Sequence, residues 1–101
     1  MTAQEEHKGA LQLEVLTPEA TCLKVEDVTA VRAMLSEGPI CVLPGHAPLV
    51  GILVAGELGY ADHRGDHRVG IDEGILRIHG STVTVLGTDV RVMPLPAQAD
   101  R

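Results

Sequence analysis

The chain has 101 residues, a formal net charge of −6, and Tyr60 as its single aromatic ring. That length holds one domain with its own core. The acidic balance and the missing aromatics exclude a basic, base-stacking nucleic-acid surface, and no apolar stretch reaches the roughly 20 residues of a membrane-spanning helix. With no Phe or Trp, the interior must be filled by Val, Leu, Ile and Ala, which suits β-sheet packing better than a large aromatic pocket.

In chain order, residues 1–10 read as a disordered lead-in. Their polar, acidic start is neither a secretion signal nor an Arg-rich transit peptide, so a soluble, cytoplasmic protein is expected. Leu11 to Val15 alternates apolar and polar residues, as a half-buried strand does. Thr17-Pro18-Glu19-Ala20 reads as a turn, and Leu23 to Glu26 as a second short strand. Asp27 to Leu35 fits two patterns. Asp27 as a cap, Val28, Val31 and Leu35 on one face and Gly38 as a stop make a helix, whereas alternation also fits a strand. Local pattern alone favours the helix.

Leu43-Pro44-Gly45-His46-Ala47-Pro48-Leu49 follows. Pro44 and Pro48 fix φ, donate no hydrogen bond and push the residues before them towards extended conformations. The segment therefore reads as a rigid loop presenting one imidazole, His46. Apolar runs on either side, Ile40 to Leu43 and Leu49 to Val54, are expected to be core strands. Beyond them the punctuation is regular. Ala55-Gly56 precedes a strand ending near Ala61, His63 to Asp66 reads as a hairpin loop, and Arg68 to Ile71 alternates. Glu73-Gly74 turns the chain, and Gly80-Ser81 joins strands at Ile75 to His79 and Thr82 to Leu86. Short strands at this spacing indicate an all-β sandwich or barrel. Pro94 and Pro96 close the pattern, and residues 93–101 read as a polar tail.

Several constellations invite chemistry. His46, His63 and His67, with Cys41, suggest a small metal-binding β-sandwich, but no fixed Cys/His spacing supports it, and His63 and His67 are expected to face each other across a hairpin. His46 as the base of a hydrolase lacks a nucleophile in a strained elbow. Phosphate-loop and dinucleotide fingerprints are absent. Asp72 and Glu73 read as a solvated corner, and Arg64-Gly65-Asp66 as turn chemistry. Cys22 and Cys41 make no disulfide framework and are expected to be small buried hydrophobes. Neither metal nor cofactor is expected.

At Pro44-Gly45-His46-Ala47-Pro48-Leu49 the sequence resembles the epsilon subunit of F-type ATP synthases (delta in mitochondrial naming). The likeness continues through Val54 to Leu58 and ends in Asp72 to Ile78 and Thr82 to Leu86, so that it covers residues 11–90 in order. Ile40 to Pro44 and Asp72 to Gly74 look closer to the N-type, sodium-translocating branch. Pro39 stands where many members carry an acidic or polar residue, Cys41 where most have Gly, and Leu43 replaces an aromatic.

The resemblance implies a flattened β-sandwich over residues 11–92, about ten strands in two sheets, with Asp27 to Leu35 extended. It also implies a non-catalytic subunit of the central stalk, peripheral at the cytoplasmic face of the bacterial inner membrane. Such a subunit packs on the gamma subunit and touches the polar loops of the c-ring. The family's Gly-containing turn and P-G-H loop lie together at the end facing those partners. Carried over, Glu37, Gly38, Pro44, Gly45, His46 and Leu49 are the expected partner contacts. A chain stopping soon after Val92 is expected to lack the C-terminal helical hairpin and its nucleotide site.

Overall fold

The computed structural model describes residues 10–92. The lead-in up to residue 9 and the tail over 93–101 lie outside the described residues. Ten strands follow one another: β1 (Leu11–Leu16), β2 (Thr21–Val28), β3 (Ala30–Leu35), β4 (Gly38–Val42), β5 (Leu49–Leu53), β6 (Gly56–Asp62), β7 (Gly65–Ile71), β8 (Gly74–His79), β9 (Thr82–Gly87) and β10 (Val90–Val92). The architecture is all-β.

The strands hydrogen-bond in the order β10-β7-β6-β3-β5-β8-β9-β1-β2, with β4 added to β3. This is one continuous sheet folded over its own core rather than two separate flat sheets. The reason lies in β3. Ala30 to Arg32 pair with β6, while Leu35 pairs with Leu53 of β5, so one strand serves both layers. Two bonds flank that junction: Ser36 N–H to the Ile52 carbonyl at 2.8 Å and Val54 N–H to the Met34 carbonyl at 3.1 Å. At the far seam the Thr29 amide and hydroxyl both donate to the Ala61 carbonyl, at 2.8 and 3.3 Å.

Alternation sets the core. Leu11, Leu13 and Val15 of β1, Leu76 and Ile78 of β8 and Val83 and Val85 of β9 all point inward and are essentially inaccessible. Leu58, Tyr60 and Val69 close the core from β6 and β7. Gly74 is fixed by a close approach: a Cβ there would lie 2.9 Å from the Leu86 carbonyl carbon and nearer still to its oxygen.

The helix expected locally over Asp27 to Leu35 does not form. Asp27 takes φ +60°, Thr29 interrupts the strands, and the segment runs as the end of β2 and all of β3. β4 pairs with β3 only, in a hairpin closed by Leu35 opposite Gly38. Pro39 sits opposite Met34, whose carbonyl is turned away from β4 to accept the Val54 amide. The Pro39 nitrogen therefore faces the open side of β4, where no ladder bond is lost. Cys22 and Cys41 are exposed, correcting the expectation of burial. They occupy outward positions of β2 and β4, where alternation turns them from the core.

Candidate functional site

The loop between β4 and β5 is a rigid turn. His46 N–H donates to the Leu43 carbonyl at 3.1 Å, with Pro44 second and Gly45, at φ +91°, third. That is the type II arrangement, for which Pro supplies the second φ and Gly alone takes the third without strain. The His46 Nδ1 lies 2.7 Å from the Ala47 carbonyl. A carbonyl only accepts, so Nδ1 carries the proton and Nε2 is the acceptor of the neutral ring. Leu43, at the head of the turn, is 53% exposed. Leu49 is half-buried and packs against the core, anchoring the loop rather than projecting from it.

Glu37 is exposed in the two-residue turn between β3 and β4, and Gly38 opens β4. The six expected contact residues therefore fall into two groups. Glu37 and Gly38 sit at one end of β4, and Pro44, Gly45, His46 and Leu49 at or beyond the other. The rest of β4, Pro39 to Val42, about 13 Å of strand, lies between the groups. The expectation that the Gly-containing turn and the P-G-H loop share one end does not hold.

No three His, Cys, Asp or Glu side chains among the described residues are grouped so as to hold a metal ion. His63 does not face His67. It lies in the turn after Asp62, and His67 instead stands opposite Tyr60, their rings stacked at 4.8 Å. The buried His67 places Nε2 2.9 Å from the Asp62 carboxylate. Asp62 also accepts the Arg64 backbone N–H at 2.9 Å and its guanidinium at 3.2 Å. Burial alone would push the Asp62 carboxyl up. The hydrogen bonds from His67 and Arg64 outweigh burial and hold it down at about 2. The Asp62 oxygens are acceptors, so His67 donates from Nε2. This cluster braces the β6–β7 hairpin.

Sequence reasoning missed a different feature. Val50 and Ile52 on β5, Ile75 on β8 and Leu86 on β9 are exposed hydrophobics, with Val50 at 70% and Ile52 at 63%. Register aligns Ile52, Ile75 and Leu86 in one row across three strands. The run Leu49 to Val54 was expected to be core, yet only alternate residues turn inward. Its unbroken apolarity was the available signal, since a strand with one wet face ordinarily alternates.

The sequence profile of the ATP synthase, Delta/Epsilon chain, beta-sandwich domain family matches residues 10–91. The chain belongs to this family. Among delta/epsilon relatives, the ATP synthase epsilon chain of Solibacter usitatus is 41% identical over 83 residues, covering 82% of this chain and 56% of the relative. That of Citrifermentans bemidjiense is 37% identical over 78 residues, covering 75% and 54%. The chain thus spans about half the length of the epsilon chains it matches. Two solved assemblies share the delta/epsilon fold. A chain of the Euglena gracilis mitochondrial ATP synthase, solved with OSCP, F1 and c-ring, superposes with a TM-score of 0.77 at 23% identity, over 83% of this chain and 54% of that one. A chain of the Tetrahymena thermophila mitochondrial ATP synthase central stalk and c-ring gives 0.65 at 16% identity, over 79% and 64%.

Proposed function

We propose that this chain is the β-sandwich of a central-stalk subunit in a bacterial rotary ATP synthase, seated between the gamma subunit and the polar loops of the membrane c-ring. Its task is mechanical. It catalyses nothing itself and transmits torque by keeping two contacts at fixed separation, peripheral to the cytoplasmic face of the inner membrane. The observation that carries this reading is the family match over residues 10–91, together with the Pro44-Gly45-His46 loop held as a rigid type II turn. Most of the chain is a single braced sheet, which suits a part that must not deform under load. Pro44, Gly45 and His46, with Leu43 beside them, form one contact. Glu37 and Gly38, at the other end of β4, form a second, and Leu49 supports the loop from beneath.

The test is co-expression with an ATP synthase gamma subunit from the same organism, then size-exclusion chromatography with and without purified c-ring in detergent. Co-elution with gamma at one to one is expected. His46→Ala and Glu37→Ala should each weaken one partner and spare the other, because their sites lie at opposite ends of β4. Failure to bind either partner would overturn the stalk assignment. Binding that ignores both substitutions would move the contacts elsewhere.

A further inference from the structure

The apolar row on β5, β8 and β9 lies in a surface that is complementary to itself. Two residues before and after each member along the chain stand matched pairs, of which Val54, Glu73 and Thr88 lie one residue beyond their strands. Val50 and Val54 flank Ile52, Thr84 and Thr88 flank Leu86, and Arg77 and Glu73 flank Ile75. Ile52, Val54, Glu73, Ile75 and Thr88 line one shallow concavity, which places them on a common surface.

A two-fold axis lying in that surface along the row of Ile52, Ile75 and Leu86 would stack a second copy face to face with its strands antiparallel. Each isoleucine and leucine then meets its own counterpart. Val50 meets Val54, Thr84 meets Thr88, and Arg77 of each copy meets Glu73 of the other. Arg77 and Glu73 are exposed, and neither has an ion-pair partner among the described residues. Four residues apart across the start of β8, about 13 Å, they cannot pair with each other. A two-fold axis along β8 would instead set Arg77 against Arg77 and Glu73 against Glu73.

We infer that this face is an isologous interface between two copies of the chain, with the paired Arg77 and Glu73 fixing its register. The inference stands apart from the stalk assignment, since it concerns the chain before any other subunit covers the face. Few large side chains contribute, so the contact belongs among small, reversible interfaces, below about 1,200 Å² in total.

Sedimentation equilibrium of the 101-residue chain tests it. A monomer is expected at about 1 μM and a dimer at about 500 μM, as befits a small interface. Ile75→Arg should leave a monomer throughout, and Ile52→Lys, a second variant at an exposed position, should do the same, with thermal melts confirming that both fold. Glu73→Arg or Arg77→Glu alone should weaken the dimer about tenfold, the scale of a lost pair replaced by a like-charge contact. The double exchange, Glu73→Arg with Arg77→Glu, should restore it. A wild-type monomer at 500 μM, a dimer that survives Ile75→Arg, or a double exchange that fails to restore association would each overturn the inference. So would a monomer that loses its gamma subunit on Ile75→Arg, which would give the face to that partner.

Discussion

The outer faces of the two halves of the sheet are built on opposite plans. On β3, β6 and β7, register sets Arg32, Gly59 and Arg68 side by side, and each arginine has a carboxylate. Arg32 reaches Asp66 at 3.4 Å and Arg68 reaches Glu57 at 3.5 Å, with the Arg32 guanidinium laid across Gly59. On β5, β8 and β9, the corresponding positions hold Ile52, Ile75 and Leu86, while Glu73 and Arg77 lack partners among the described residues. The same alternation produced both faces, so the difference is chemical rather than architectural. One face carries paired charges that water solvates, and the other leaves apolar side chains exposed.

The strongest way to break this comparison is to remove the scaffold beneath the apolar face. Gly74→Ala forces a Cβ into the Leu86 backbone and should cost about 3 kcal/mol or more, lowering Tm by over 10 °C for a domain of this size. The charged half depends on Asp62 in the same way. Asp62→Ala leaves the buried His67 N–H without an acceptor and should cost about 2–3 kcal/mol, read by urea denaturation. Acid sharpens the same point. The folded pKa of Asp62, about 2, lies below its ordinary 3.8, so its contribution of about 2 kcal/mol is complete above about pH 5 and is lost as pH falls towards 2. An acid melt that ignores Asp62→Asn would separate the brace from stability. The smallest effects belong to the surfaces themselves. Arg68→Ala and Ile52→Ser should each change stability by under about 0.5 kcal/mol, yet only Ile52→Ser should alter association.

Much of this was legible because strands announce themselves by alternation and turns by Gly, Pro and Asp. The hairpin at Gly80-Ser81 and the turn at Glu73-Gly74 lie where the pattern put them. The helical reading of Asp27 to Leu35 has a specific origin. Val28 and Val31 are both buried, and the interruption at Thr29 separates them by three positions, which imitates a helical repeat. A phase shift in a strand and the face of a helix look alike over so short a stretch.

The Asp62 brace depended on register. A four-residue loop over His63 to Asp66 hides it, whereas a two-residue turn sets Asp62 opposite Gly65 and brings His67 back beside it. The loop at Pro44 to His46 was legible as a fixed turn from its prolines and glycine. Its separation from Glu37 follows from the strand reading of Ile40 to Leu43, which puts the Gly-containing turn at one end and the loop at the other, against the shared end that the resemblance implies. Which apolar side chains face outward could not be read from Leu49 to Val54, where every position is apolar or Gly.

Pro39 gives the open side of β4 a further property. A bare edge strand is a template: its unpaired amides and carbonyls recruit another chain's backbone whatever side chains that chain carries. The ring of Pro39, second of the five residues of β4, removes one of those amides and sets a hydrocarbon bump in its place. Growth of cross-β stacks along this side is thereby weakened, since Cys41 alone of the two outward-turned residues of β4 keeps its amide. A chain that meets this side finds little backbone to pair with and depends the more on side chains.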